Sequence, residues 1–133
     1  MSSSVSGPAG PTGGNGTFGR EQCLALLATA SIGRIVHTDR ALPAVTPVTF
    51  VLDGDVVTVR AAAMLGAAIG GSIVAFQADD VDPDTLLGWS VTVIGRAVLT
   101  GGPIPRPCSG PPGRPPALRI RVQHASGMRI GPR

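Results

Sequence analysis

Two apolar segments joined by an acidic connection limit the folds that this chain can adopt. Residues 73–76 are nearly all apolar, and residues 91–94 belong to a second segment that is rich in β-branched side chains. Short apolar segments of this kind are typical of strands that are covered on both faces. The connection carries four aspartates and a proline, which predicts a solvated turn between two strands (Asp79, Asp80, Asp82, Pro83 and Asp84).

Four further segments have strand patterns, and two have helix patterns. Strands are predicted for residues 34–37, 43–51, 56–60 and 117–122, and short helices for residues 20–28 and 61–69, the first capped by Thr17. The remaining residues 124–133 are short and mostly polar, and no strand is predicted for them. Six strands with no alternation of strand and helix predict a mainly β chain that forms a small closed or half-closed barrel with one or two short helices.

Pro47 lies inside the strand that is predicted for residues 43–51. Proline has no N–H to donate to a neighbouring strand, so it predicts either an edge position or a locally broken ladder. A broken ladder leaves backbone amides free for a ligand. Asp53 and Gly54 follow this strand. An Asp-Gly pair between β-branched segments favours a primed turn, which predicts a hairpin to the next strand.

The composition predicts a single domain. The chain has 133 residues, of which 3% are aromatic and none is Tyr, so aliphatic side chains must fill a modest core. Residues 1–16 are predicted to be a disordered Gly/Ser/Pro-rich tail, residues 17–133 the folded domain, and residues 101–116 a Pro-rich loop within it. No segment has the pattern of a signal peptide or a membrane span, so we expect a cytoplasmic protein without a membrane partner.

Charge and metal-ligand patterns argue against several classes of function. All 11 basic residues are Arg, but they are scattered singly, so no nucleic-acid partner is predicted. Cys23 and Cys108 have neither metal-ligand nor redox spacing. The acidic connection lacks the spacing of a calcium loop. His37 and His124 have no acid nearby in sequence. No metal site is therefore predicted, and the catalytic residues stay unknown.

Three segments, taken in order, resemble the pyridoxamine 5'-phosphate oxidase-like family of FMN-binding split barrels. The first is GRIVHTDRALPAVTPVTFVLDGDVVTVR at residues 33–60, the second VAFQADDVDPDTLLGWSVTVIGRA at residues 74–97, and the third SGMRI at residues 126–130. The second segment, with its acidic connection followed by Gly-Trp-Ser-Val and Gly-Arg-Ala, is similar to a subgroup that is common in actinobacteria. The resemblance extends over nearly all of the chain outside the tail.

This resemblance implies an antiparallel split β-barrel of about six strands that forms a homodimer, with a flavin in each of two grooves between the subunits. It places one strand beside the isoalloxazine, and it makes Arg60 and the adjoining Ala61 part of the site of the FMN phosphate. Trp89 would line the groove near the partner, with residues 91–94 at or beside the interface. The cofactor-binding strand residues that it implies are Pro47, Val48, Thr49 and Phe50.

The segment after Arg60 departs from the family pattern. Family members usually have a Thr or Ser directly after this Arg and a Lys a few residues later, whereas this chain reads Ala61-Ala62-Ala63-Met64-Leu65-Gly66. The sequence is therefore consistent with two alternative functions. One is a flavin-dependent oxidoreductase that acts on a small conjugated or heteroaromatic molecule. The other is a non-catalytic dimeric split barrel that has lost efficient FMN binding or uses another ligand, a deazaflavin or haem.

Overall fold

The computed structural model describes residues 17–59, 69–100 and 117–131. Within these ranges the chain forms eight strands and one helix. In chain order they are β1 (Thr17–Phe18), α1 (Arg20–Leu27), β2 (Ile32–Asp39), β3 (Leu42–Asp53), β4 (Val56–Val59), β5 (Ile73–Val81), β6 (Gly88–Thr100), β7 (Ala117–Arg121) and β8 (His124–Ile130). The tail at residues 1–16, the helix predicted from residue 61 and the Pro-rich loop at residues 101–116 lie outside the described residues.

All strand pairings are antiparallel, and six strands close into a barrel. The strand order is β1-β8-β6-β5-β2-β3-β4-β7, and β7 also pairs with β6 to complete the ring. Closure removes most of the open edges that a sheet would otherwise expose. The predicted mainly β, antiparallel barrel of about six strands is therefore confirmed.

Two long strands join the two sheets of the barrel. In β3, residues 42–49 pair with β2 and residues 50–53 pair with β4. In β6, residues 88–94 pair with β8, whereas residues 97–100 pair with β7. Because β3 changes its neighbour part-way along, each of its two segments is paired on one side only among the described residues.

The core is built from alternate residues of each strand, together with one face of α1. Val74, Phe76, Val91 and Val93 are buried, whereas Ile73 of the same strand pair is 50% exposed. The expectation that β5 and β6 are covered on both faces is therefore wrong within one chain. Successive side chains of a strand point to opposite faces, and no layer among the described residues covers the outer face of these two strands.

The helix α1 begins without the predicted cap. Its first turn follows Gly19, and no side chain caps it. Thr17 is instead part of β1, where it pairs with Met128 of β8. The helix packs through Cys23 and Leu27, which are fully buried. A side chain at Gly127 would approach the Cys23 sulfur to 3.1 Å, so a glycine there lets the helix lie close to β8.

The acidic connection is shorter than predicted. Strand β5 continues through Asp79 and Asp80, and the turn itself begins at Asp82. The Asp82 Oδ1 atom accepts hydrogen bonds from the backbone N–H groups of Asp84 at 2.7 Å and Thr85 at 3.2 Å. Asp82 therefore stabilises the turn locally, in the way that an aspartate two or three positions before a backbone N–H commonly does.

The C-terminal segment is a strand, which the sequence pattern did not predict. All seven residues of β8 pair with β6, from Gly88↔Ile130 to Ile94↔His124. Its inward positions are occupied by Ala125 and Gly127, so the segment lacks the large apolar residues by which a strand is usually recognised. The pairing adds β8 and β1 to the barrel wall at the edge of β6.

Candidate functional site

The central part of β3 is a continuous strand with an open outer edge. Pro47 pairs with Arg34 of β2, within an unbroken register that runs from Ile32↔Thr49 to Asp39↔Leu42. Among the described residues, no strand pairs with the other side of residues 42–49. Of the two arrangements predicted from Pro47, the edge position is therefore the one observed, and the ladder to β2 is intact.

The missing N–H of Pro47 determines which backbone groups face the open edge. In an antiparallel ladder, hydrogen-bonded and non-hydrogen-bonded pairs alternate, so the Pro47↔Arg34 pair must be of the second type. The Phe50 N–H donates to the Ser31 carbonyl at 3.0 Å, which fits the same alternation. The N–H and C=O groups of Thr49 consequently point away from β2, towards the open edge.

A cavity of about 490 Å³ lies beside this edge. It is lined by Thr49, Phe50, Val51, Leu52, Asp53 and Thr58. Val51 and Thr58 pair directly across β3 and β4, so their side chains share the outer face of the barrel. We call this cavity the β3 groove. It presents hydroxyl groups, backbone amides and the apolar side chain of Val51, which together suit a flat molecule with polar edges.

The structure brings only some of the predicted cofactor residues together. Thr49 and Phe50 line the β3 groove, and Pro47 and Val48 precede them on the same strand. Phe50 is buried and packs against Phe76, so a ligand in the groove would meet its backbone rather than its ring. Arg60 and Ala61 lie outside the described residues.

Trp89 lies at a different cavity. It is at the start of β6, beside a cavity of about 390 Å³ that we call the Trp89 cavity. Within the described part of the chain, Trp89 and the β3 groove do not line a common space. The other residues that line the Trp89 cavity are Phe18, Gln22, Leu26, Leu87, Gly88 and Arg129.

An ion pair that sequence reasoning missed lies on the outer face of the barrel. The Arg34 guanidinium donates to the carboxylate oxygens of Asp79 at 3.2 and 3.3 Å. Arg34 pairs with Pro47 on one side and with Gln77 of β5 on the other, so the ion pair lies close to the central part of β3. The sequence pattern did not predict this contact because it assigned Asp79 to a solvated turn, whereas Asp79 lies in β5.

His37 is the described residue with an unsatisfied buried polar atom. Its Nε2 atom lies 3.1 Å from the Thr46 hydroxyl oxygen, and its Nδ1 atom is buried without a hydrogen-bond partner. Leaving such an atom unpaired costs about 1–3 kcal/mol. His37 therefore has a polar neighbour that the sequence did not predict, but no acid among its described hydrogen-bond partners.

Cys23 has the properties of a packing residue. Burial raises the pKa of the Cys23 thiol, and the sulfur lies 3.7 Å from the Phe18 carbonyl oxygen. The neutral thiol is neither the nucleophile nor the metal-binding form of cysteine. Across the described ranges, no group of three or more His, Cys, Asp or Glu side chains is arranged to hold a metal ion.

The fold and the β3 groove agree with a match to a family model. The model described as pyridoxamine 5'-phosphate oxidase matches residues 19–102, from the start of α1 to the end of β6. The chain belongs to this family. The match includes all the described residues of the β3 groove and also Trp89, and it confirms the family that the three sequence segments resemble.

Two mycobacterial proteins are similar to this chain in sequence or in structure. The chain is 41% identical over 91 residues to an uncharacterized protein of Mycobacterium tuberculosis, and this match covers 63% of the chain and 60% of that relative. It is 27% identical to the FAD binding protein from Mycobacterium smegmatis, with a TM-score of 0.68 over 86% of the chain and 97% of that protein.

A second solved structure supports the fold alone. The FAD and heme binding protein from Mycobacterium smegmatis has a TM-score of 0.63 at 13% identity, over 86% of the chain and 73% of that protein. In the chain described here, no helix within the described ranges is long and apolar enough to cross a membrane.

Proposed function

We propose that this protein binds a flavin in the β3 groove and acts as a flavin-dependent oxidoreductase on a small conjugated or heteroaromatic molecule. The observation that carries the proposal is the cavity of about 490 Å³ beside the open edge of β3. Family membership supports it, as does the 27% identity to a protein described as FAD binding. When bound, a flavin supplies hydride transfer, and the protein supplies binding, orientation and electrostatics.

The groups that line the groove fit the polar edge of an isoalloxazine ring. The outward N–H of Thr49 is a donor, and the hydroxyls of Thr49 and Thr58 can donate and accept hydrogen bonds. The exposed side chain of Val51 provides apolar contact area in the same groove. These residues would hold and orient the ring and keep water from one of its faces.

The phosphate of the cofactor requires a cation nearby, because the Asp53 carboxylate in the groove would repel the phosphate. Arg60 follows Val59, which pairs with Phe50 at the groove. An Arg offers a planar pair of donors for a phosphate. We propose that Arg60 binds the phosphate and that Ala61 occupies the position where relatives usually have a hydroxyl.

Titration of the full chain with FMN, and separately with FAD, tests this proposal by flavin fluorescence. Arg60→Ala is expected to nearly abolish binding. Ala61→Thr together with a Lys placed within residues 63–66 is expected to tighten it by roughly one to two powers of ten, the effect of one or two charge-assisted hydrogen bonds. Arg96→Ala, which removes an exposed Arg from β6, a strand that does not line the β3 groove, is the matched control and should leave binding unchanged.

The second candidate is a split barrel that lacks efficient FMN binding or binds a deazaflavin or haem instead. The Ala-rich sequence after Arg60 favours it, because the usual hydroxyl and ammonium groups are missing there. An absorbance spectrum of the purified protein distinguishes the ligands, since flavin absorbs in the blue and haem has an intense near-ultraviolet band. If neither the parent nor the restored variant binds FMN or FAD, the oxidoreductase proposal is wrong.

We also propose that the protein is a homodimer. An apolar row crosses four strands on the outer face of the barrel through the pairs Val45↔Val36, Val36↔Ala75 and Ala75↔Ile94. Directly paired residues share a face of a sheet. Val45 is 57% exposed, so one end of the row is open to solvent in a single chain. A second copy is the occupant that the family resemblance implies for this face.

A further inference from the structure

The Trp89 cavity lies between α1, β1 and the paired ends of β6 and β8. Trp89 pairs with Arg129, and Phe18 pairs with Gly127 on the next strand. Two aromatic rings therefore border one space of about 390 Å³. Both Trp89 and Phe18 are half-buried and pack against the core, which fixes the rings while part of each surface faces the cavity.

The cation at this cavity has no acidic partner in the described part of the chain. Arg20, Arg34 and Arg121 each form an ion pair with an aspartate, and Arg129 forms none. The Arg129 guanidinium carbon instead lies 5.8 Å from the centroid of the Phe18 ring. A guanidinium over an aromatic ring keeps its in-plane N–H groups available for a carboxylate.

A second donor at the cavity is also without a protein partner. The Trp89 indole N–H makes no hydrogen bond among the described residues. Among those residues, His37 Nδ1 is the one side-chain polar atom that is both buried and without a hydrogen-bond partner, so the Trp89 N–H is not buried. The Trp89 N–H therefore reaches solvent. Asp80 pairs with Trp89 from the opposite side to Arg129, so Trp89 separates this acid from the cation.

We propose that the Trp89 cavity is a binding site for a planar aromatic carboxylate. The ring of the ligand would pack against Trp89 and Phe18, and its carboxylate would accept hydrogen bonds from Arg129. Within one chain this site is separate from the β3 groove, so it can be tested without a flavin. The carboxylate of the ligand would neutralise the charge of Arg129, which has no acidic partner among the described residues. The aromatic side chains that line the cavity favour a ligand with a flat apolar ring.

The chain carries its own probe for this site. Trp89 is its single Trp, and the sequence has no Tyr, so its intrinsic fluorescence reports on this cavity alone. The full chain is titrated with benzoate and, separately, with benzamide, a neutral molecule of nearly the same shape. Saturable changes in Trp89 emission are expected for both, with benzoate binding on the order of tenfold more tightly because it gains a charge-assisted contact.

Three variants separate the parts of the site. Arg129→Gln is expected to weaken benzoate by about tenfold and to leave benzamide unchanged, since it removes only the charge-assisted contact. Phe18→Leu is expected to weaken both ligands by a similar factor. Arg119→Gln is the matched control, because it makes the same change at an exposed position on β7 and should alter neither titration. Thermal unfolding of each variant verifies that it is folded.

Two results would overturn the inference. One is the absence of any saturable change in Trp89 emission with benzoate in the parent chain. The other is equal affinity for benzoate in the parent and in a folded Arg129→Gln variant, which would mean that Arg129 does not bind the carboxylate. A preference for benzoate that is lost in Arg129→Gln and kept in Arg119→Gln supports the site.

Discussion

The rings of Phe50 and Phe76 meet edge to face, with their centroids 4.7 Å apart and their planes at 69°. Phe50 is the residue at which β3 changes its neighbour from β2 to β4, and Phe76 is in the middle of β5. The contact therefore ties the strand of the β3 groove to the centre of the core. Edge-to-face pairs add about 0.5–1.5 kcal/mol to the effect of their burial.

Removing the Phe50 ring should destabilise the whole domain. Phe50→Ala is expected to lower the free energy of unfolding by about 3–5 kcal/mol, because it leaves a cavity beside Phe76. Urea denaturation measures this loss. Val51→Ala is the control on the same strand, since Val51 is 68% exposed, and it should change stability by no more than about 0.5 kcal/mol. Equal losses for the two variants would contradict the described burial of Phe50.

The ion pair of Arg34 and Asp79 should contribute little to stability. Both side chains are more than a third exposed (39% and 35%), so solvent screens their attraction. A double-mutant cycle with Arg34→Gln and Asp79→Asn is expected to give a coupling free energy below about 1 kcal/mol, and high salt should reduce it further. A coupling several times larger that persists in high salt would show that solvent does not screen the pair.

The hairpin between β2 and β3 contains backbone strain that a glycine should relieve. Asp39 pairs with Leu42, and the two residues between them, Arg40 and Ala41, have φ values of 52° and 67°. A non-glycine residue in this region costs roughly 1–2 kcal/mol. Ala41→Gly is therefore expected to raise the thermal midpoint, whereas Ala44→Gly, in the adjoining strand, should lower it. A lower midpoint for Ala41→Gly would be inconsistent with the positive φ.

Cys23 should be protected from alkylation in the folded protein. Burial raises the pKa of its thiol, so at neutral pH the reactive thiolate is scarcer than in the unfolded chain. Its neutral form favours folding below the ordinary thiol pKa, and this contribution is lost as the pH rises through the raised value. Mass spectrometry of the Cys23 peptide should find slow modification in buffer and fast modification in denaturant. Equal rates in the two conditions would count against the burial.

Much of the barrel could be predicted because strand patterns depend on local sequence. The alternation of apolar residues with Arg in β7 indicates its inner face, where Leu118 and Ile120 are buried. The Asp-Gly pair predicts a hairpin, and Gly54 there has a φ of 62°. Strand β8 was missed because Ala125 and Gly127 at its inward positions are too small to produce an apolar pattern. The cap predicted at Thr17 was wrong because pairing with β8 takes that residue into a strand.

The Trp89 cavity and the ion pair of Arg34 and Asp79 depend on residues that are far apart in the sequence. Pro47 predicted the edge of β3 because its missing N–H is a local property. No local pattern links Phe18 to Arg129, or Arg34 to Asp79, since barrel closure and sheet register bring them together. The face exposed at Ile94 was likewise missed, because a nearly continuous apolar segment does not reveal which of its residues the chain itself buries.

Ile94 provides a sharp test of the proposed homodimer. It lies in the apolar row with Ala75, Val36 and Val45, and it is 37% exposed in a single chain. If a second copy covers this face, Ile94→Lys places a charge in an apolar interface and should produce a monomer. Val98→Lys is the matched control, because Val98 is similarly exposed on β6 but pairs with Arg119 in the other sheet. Light scattering at micromolar concentration should give a dimer for the parent and for the control, and a monomer for Ile94→Lys. A monomeric parent would remove the dimer from the proposal, and a dimeric Ile94→Lys variant would move the interface away from this row.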